Sequence, residues 1–531
     1  MIMQKIERVR GRTNMDNIEI LLTMIVYMML VIGIGVYFVK RANENSENFF
    51  IGGRTLGPWV AAMSAEASDM SGWLLMGLPG VAYWIGLGEA IWTAIGLLAG
   101  TYINWLIVAK RLHAYSNITN SITIPDFFSD RFKEKKKVIM TIAALFILVF
   151  FTVYASSCFV TVGKLFNSLF GFSYQTAMIG GAIFVILYTF LGGFLAESVS
   201  DFMQAIIMVM ALTVVMIVSV IYAGGPGAVL DKLNEIPGFL SFVGVATPET
   251  VNDVQQLSQS GAPLFGSAGS YGFLVILSTL SWGLGYFGIP QVLLRFIASR
   301  KNSEIKKARR IATIWCAISL VVAVAIGLIG RAAFPAEHLM ASDAERIFIT
   351  LSTKLLPPVL AGLVMSGILA ATISSSDSYL LIASSAVSKN IFQGIVKKEA
   401  TDKQVMLVSR VILIIISVVG ILLALDEKSV IFKVVSFAWA GFGATFGPLM
   451  LFSLFWKRTT REGAVAGMVV GGCMVFIWKL LIRPLGGYFD IYELLPAFVL
   501  SCIAILLVSL LSEAPSKEIQ DEFEAAKVYV D

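Results

Sequence analysis

Long apolar runs alternate with short polar breaks from about residue 18 to residue 512. Runs long enough to cross a bilayer fall at about 18–39, 58–80, 88–109, 138–163, 175–195, 202–223, 271–297, 310–330, 357–388, 406–424, 429–455, 463–482 and 492–512. The pattern predicts about thirteen helical spans. Two of them differ from the rest. The second reads Glu66-Ala67-Ser68-Asp69-Met70-Ser71-Gly72 at its middle. At about 1.5 Å of rise per residue, Asp69 lies roughly 15 Å from either end, near the bilayer centre. A carboxylate there costs about 2.5–3.5 kcal/mol on insertion scales. Gly72 and its small, hydroxylated neighbours make the helix easy to interrupt. Irregular backbone at such depth persists only where protein or a water-filled cavity receives it. Asp69 either hydrogen-bonds a neighbouring helix or belongs to an ion or substrate site.

The seventh span holds the second interrupted segment, Trp282-Gly283-Leu284-Gly285-Tyr286-Phe287-Gly288-Ile289-Pro290. Broken helices at matching positions of two halves point to a transporter binding site, and an odd number of spans per half makes the halves inverted. The long stretches Gly224–Ser270 and Arg331–Leu356 fall on one side, the first with room for a short helix.

Composition agrees with a polytopic membrane protein. Of 531 residues 57% are hydrophobic and only 14% charged, about half the usual charged share. The mean hydropathy is +0.81. A net charge of +5 does not suggest nucleic acid. Cys158, Cys316, Cys473 and Cys502 have no paired spacing, and only His113 and His338 are present, which excludes a multi-histidine metal centre. No glycine-rich phosphate loop suggests an ATP-driven pump, so no cofactor is expected. The basic segment Met1–Asn17 lacks a cleavage site, so 18–39 reads as a retained span. Lys and Arg concentrate in one set of loops, such as 110–111, 131–137, 300–310 and 397–403. That set should be cytoplasmic, with the N-terminus outside and the acidic tail Ser512–Asp531 inside. Lys5, Arg8, Arg10 and Arg12 argue the other way and are outvoted.

Three constellations could carry chemistry. The ninth span contains Ser374-Ser375-Ser376-Asp377-Ser378, and Ala371, Ser374, Ser375 and Ser378 share one helical face. Single hydroxyls usually bond back to their own helix, but this density of hard oxygen ligands suits an alkali cation. Glu197 and Asp201, spaced i, i+4 at the junction of the fifth and sixth spans, are either solvated or part of a site. Glu66, Asp69, Asp201 and Asp377 would together cost on the order of 10 kcal/mol if deep and unpaired. No basic residue is expected at their depth, so bound cations, protons or a wet cavity must compensate. Trp282 and Tyr286 inside the second break, with Tyr154 and Trp73, would wall a small apolar pocket.

These motifs carry a family resemblance. The run 67–80, Ala-Ser-Asp-Met-Ser-Gly-Trp-Leu-Leu-Met-Gly-Leu-Pro-Gly, resembles the first core helix of sodium/solute symporters, specifically the bacterial sodium/proline branch. Segments 282–288, 124–128, 307–310 and 438–444 match the same branch, and the likeness runs from about 18 to 512. It implies an all-α, leucine-transporter-like fold of two inverted five-helix repeats with broken first and sixth core helices. It also implies sodium held by the carbonyls of Ala67, Met70 and Ala371 and the hydroxyls of Ser374 and Ser375. By the same likeness Asp69, Ser71 and Gly72 belong to sodium and substrate binding and Asp201 to coupling. Tyr154, Trp282, Tyr286 and Pro290, with Trp73 beside the first break, lie on the substrate side. Glu66, Glu197 and Asp377 depart from the pattern and add acids to the coupling group, which also includes Ser378. Ile289 and Gln291 replace the Gln and His that flank Pro290 in better-known proline carriers.

The resulting expectation is a sodium-coupled symporter of the cytoplasmic membrane that imports a small amino acid, foremost L-proline. Another small zwitterion or carboxylate, with proton coupling or a second coupled cation, is the alternative. A channel or a membrane enzyme is the reading from other classes; no nucleophile–base pair supports the enzyme. A second cation is expected where Asp377 approaches Asp201, with Glu197 or Glu66 as relays. The expected partners are sodium, the small-molecule substrate and lipid. The expected division is 1–57 for the N-terminal segment, first helix and loop, 58–224 for the first repeat and 225–270 for an external loop. It continues with 271–456 for the second repeat, 457–512 for two further helices and 513–531 for the tail.

Overall fold

The computed structural model describes residues 14–42, 44 and 46–528. Lys5, Arg8, Arg10 and Arg12, which opposed the predicted orientation, lie outside the described residues. After α1 (Asn14–Ala42), the second span forms two pieces, α2 (Pro58–Asp69) and α3 (Trp73–Ile85). Pro58 sits at the first helical position, where its missing N–H costs nothing. α2 ends at Met70, whose φ of −88° and ψ of 73° leave the helical region. Gly72 lies so close to α5 that an added Cβ would stand 2.4 Å from Thr161 Cγ2.

Then come α4 (Leu87–Thr119), α5 (Val138–Phe170), α6 (Tyr174–Phe190) and α7 (Gly193–Tyr222). Gly193 makes the bend between the last two, with φ 58° and ψ 178°, a conformation open to glycine alone. α7 therefore starts about nine residues before the apolar run at 202–223, and Glu197 and Asp201 lie inside a helix rather than at a junction. Apolar content missed this turn because its charges are paired inside the protein, as shown below.

The seventh span is also divided. α8 (Phe273–Leu280) tightens into a 3₁₀ turn at Ser281–Phe287, the chain extends at Ile289, and α9 (Pro290–Ala298) resumes. The second half continues with α10 (Ile305–Ala333), two short helices, α11 (Ala341–Ala344) and α12 (Ile347–Leu355), then α13 (Pro358–Ser385), α14 (Asp402–Leu423) and α15 (Ile431–Phe455). α16 (Arg461–Ile477), α17 (Leu494–Leu511) and α18 (Lys517–Val528) complete the described chain.

Among the described residues, eleven helices are long and apolar enough to cross a membrane. Shorter apolar helices, Trp73–Ile85 and Tyr174–Phe190, stand where the second and fifth spans were expected. The small Ala, Ser and Gly residues of α13 let it pack against α1, α2, α5 and the α6–α7 pair, so it is buried along most of its length. Between α7 and α8 the chain forms a helix at Pro226–Asn234 and two short antiparallel ribbons. Gln255 N donates to Leu339 O at 2.7 Å, which joins the two long loops on one side of the molecule. α18, expected only as an acidic tail, buries Phe523 and pairs Glu518 and Glu522 with Lys133.

Candidate substrate and cation site

The breaks in α2–α3 and α8–α9 meet α13 and α5 in the protein interior. Ser374 Oγ on α13 donates to the Ala67 carbonyl at 2.8 Å and stands 3.2 Å from the Ala371 carbonyl. Ser375 Oγ reaches the same Ala67 oxygen at 3.3 Å. Ala67, Ala371, Ser374 and Ser375 thus converge from two helices, as expected, and Met70 caps α2 beside them. The oxygens gathered here are of the hard type that suits an alkali cation.

Asp69 links this group to the second break. Its Oδ2 accepts the Tyr286 hydroxyl at 2.8 Å, and its carbonyl accepts Tyr154 Oη at 3.3 Å and Trp73 Nε1 at 3.4 Å. Asp69 Oδ1 and Ser71 Oγ are buried with no hydrogen-bond partner. An aromatic wall rises on one side. Trp282 lies 6.1 Å from Trp73, 5.3 Å from Phe432 and 5.9 Å from Trp439 between ring centres. Trp439 Nε1 donates to the Trp282 carbonyl at 2.8 Å, passing directly over Gly285, where a Cβ would come within 1.9 Å of that nitrogen. The glycine is needed for this approach. Tyr286 packs edge-on against Trp439 at 5.1 Å. Pro290 is buried as the first residue of α9, where it restarts the helix after the break.

The acidic residues divide into two groups. Arg295 on α9, fully buried, donates through Nη2 to Asp201 Oδ2 at 3.1 Å, to Ser378 Oγ at 3.0 Å and to Glu197. Its Nε donates to Ser64 Oγ at 2.9 Å, and Ser64 in turn donates to Asp201 at 2.8 Å. The expectation that no basic residue lies at the depth of the acids is therefore wrong. One guanidinium pairs with both Glu197 and Asp201, offsetting one of their two negative charges, and its own span carried the residue that the loop count of Lys and Arg passed over. Glu197 is buried rather than solvated. Asp377 borders this cluster: Oδ1 accepts the Ser378 amide at 2.8 Å, Oδ2 has no partner, and the side chain lines a cavity of about 10 Å³ with Tyr188, Thr189, Gly193 and Glu197. Glu66 does not join it. It faces Trp105 and Cys316, and neither carboxylate oxygen has a hydrogen-bond partner.

On the other side of the breaks, Lys164 on α5 meets Glu345 beside α11. Lys164 Nζ donates to Glu345 Oε2 at 2.7 Å and to the carbonyls of Ser342 and Ser429. Glu345 also accepts the amides of Ile431 and Phe432, each at 3.0 Å, at the start of α15. The loop holding α11 is thereby fastened over α3 and α15. No sequence pattern signalled this pair, whose members lie 181 positions apart. Tyr379 and Trp439 were also missed, since aromatic residues within apolar spans look like ordinary core.

Comparison with known proteins agrees with this architecture. The model of the sodium:solute symporter family matches residues 49–471. The sodium/proline symporter of Escherichia coli strain K12 is 40% identical over 514 residues, 96% of each chain. That of Staphylococcus aureus strain USA300 / TCH1516 is 40% identical over 509 residues, 94% of each. A sodium-coupled sialic acid symporter, solved substrate-bound and outward-open with a novel sodium site, superposes with a TM-score of 0.75 at 17% identity, covering 94% of this chain and 99% of its own. The MhsT transporter in complex with L-phenylalanine superposes at 0.53 and 16% identity, covering 85% and 97%. Both of these likenesses speak for the fold alone. The inverted-repeat, leucine-transporter-like arrangement with two broken helices stands, as a multi-pass membrane transporter rather than an enzyme. The chain belongs to the sodium:solute symporter family.

Proposed function

We propose that the protein imports L-proline by coupling it to inward sodium flow, with one sodium ion held by Ala67, Met70, Ala371, Ser374 and Ser375. The observation that carries this reading is the convergence of two serine hydroxyls from α13 on the carbonyl of Ala67, where α2 is about to end. A helix end there frees backbone oxygens that a cation can draw together with the hydroxyls. The relatives named sodium/proline symporter at 40% identity support proline as the substrate. Asp69, Ser71, Gly72, Trp73, Tyr154, Trp282, Tyr286 and Pro290 would surround it.

The chain's own residues suggest how access alternates. Arg295, Ser64, Glu197, Asp201 and Ser378 close one side by tying α9 to α2, α7 and α13. Lys164 and Glu345 close the other. Sodium pulls α2 and α13 together at Ala67, which fixes the break that receives the substrate. By the distribution of basic loops the Arg295 side is cytoplasmic, with the N-terminus outside and the C-terminal tail inside. The two repeats would be 58–224 and 271–456.

Uptake of labelled proline into proteoliposomes tests the reading, with sodium and proton gradients imposed separately. Accumulation should follow the sodium gradient. Accumulation driven by protons alone would replace sodium as the coupling ion. In the same assay Trp282→Ala and Tyr286→Ala should each weaken proline binding at least severalfold, because a small ring loses its apolar wall. Sodium binding measured without proline should change much less. Unchanged proline affinity in both variants would place the pocket elsewhere.

A further inference from the structure

Tyr379 lies one helical turn beyond Ser375 on α13, so the two share a face. Its ring stacks on Tyr154 at 4.2 Å and 27° and on Phe151 at 5.2 Å and 21°. The side chain is fully buried, and its hydroxyl has no hydrogen-bond partner. A hydroxyl is costly to bury without a partner, about 1–3 kcal/mol by mutational measures, and packing alone would be served as well by phenylalanine. The neighbouring Tyr154 hydroxyl is already engaged by the Asp69 carbonyl. Ser71 Oγ, at the first break, is likewise buried and unpartnered, and so is Asp69 Oδ1. Three buried polar atoms without a good partner are therefore linked through Tyr154, which stacks on Tyr379, lies beside Ser71 and donates to the Asp69 carbonyl: two hydroxyls able to donate and one carboxylate oxygen able to accept.

We infer that Tyr379 is a substrate-binding residue whose hydroxyl, with that of Ser71, donates to the carboxylate of the transported amino acid, while Asp69 Oδ1 accepts from its ammonium group. The inference rests on the amino-acid symport reading and adds the basis of selection: the site recognises a small zwitterion at both ends. It also gives α13 two contacts one turn apart, Ser375 toward sodium and Tyr379 toward substrate. Movement of one is transmitted to the other through a rigid helix.

The test is Tyr379→Phe, which keeps the ring stacked on Tyr154 and removes only the hydroxyl. Proline and its carboxamide, which has no carboxylate, compete for labelled-proline uptake in wild type and variant. Loss of one hydrogen bond to a charged group should raise the half-inhibitory concentration of proline roughly tenfold. That of the carboxamide, whose carbonyl accepts only a neutral hydrogen bond, should change severalfold less, so the advantage of proline over its amide narrows. Sodium dependence of substrate-free binding should stay as in wild type. An equal loss for both competitors, or no loss for proline, would overturn the assignment while leaving symport intact. Failure of the wild type to accumulate proline at all would overturn both.

Discussion

Arg295→Gln should abolish sodium-driven uptake and sharply reduce the amount of folded transporter in the membrane. The guanidinium contributes the positive charge facing two buried carboxylates, Glu197 and Asp201. Removing one partner of a buried ion pair typically costs about 3–5 kcal/mol, because the other charge is left uncompensated. That is comparable to much of the net stability of many folded proteins, which is about 5–15 kcal/mol. Neutralising the acids as well separates folding from transport. The triple variant Arg295→Gln, Glu197→Gln, Asp201→Asn should regain a thermal unfolding midpoint near that of wild type in detergent. It should still transport poorly, because α9 is no longer tied to α2, α7 and α13 and the two sides of the molecule cease to alternate. A single variant as abundant and active as wild type would show that Arg295 does not stabilise these acids.

Ser374→Ala combined with Ser375→Ala should raise the sodium concentration for half-maximal uptake by at least tenfold. Each hydroxyl would give the ion a charge-assisted contact worth about 1.5–3 kcal/mol. Both now rest on the same carbonyl of Ala67, so their loss cannot be repaired by a neighbour on the same helix face. Proline affinity at saturating sodium should change far less, since the aromatic wall and Tyr379 are untouched. Unchanged sodium dependence in a correctly inserted double variant would remove these serines from the cation site.

Much of this arrangement was legible in the chain because membrane burial penalises irregularity. A Glu-Ala-Ser-Asp-Met-Ser-Gly run at bilayer depth, and a glycine- and tryptophan-rich run in the other half, each signalled a broken helix, and both helices break there. The serine face of α13 marked an oxygen-rich face suited to a cation, while its partner carbonyl at Ala67 was named only by the family resemblance. Arg295 was harder to see. It lies near the end of an apolar span, where a long cationic side chain ordinarily reaches back to the interface, and only the packing of α9 against α2 and α7 turns it inward. Hydropathy also misplaced the start of α7, because Glu197 and Asp201 look like loop residues until their counter-charge is known. Lys164 and Glu345 are 181 positions apart, and no local pattern connects them. Tyr379 differs from an ordinary core aromatic only in having an unsatisfied hydroxyl, a property of its surroundings.

The expected approach of Asp377 to Asp201 suggested a second bound cation; because Arg295 already pairs with Asp201 and Glu197, we propose a single coupled sodium ion instead. The most direct measurement is the ratio of sodium, charge and proline moved per cycle in proteoliposomes, by paired isotope fluxes and reversal potential. The account predicts one sodium ion and one positive charge for each proline, in wild type and in Asp377→Ser alike. Proline uptake that needs no sodium would contradict it. So would a second coupled cation in wild type that Asp377→Ser removes.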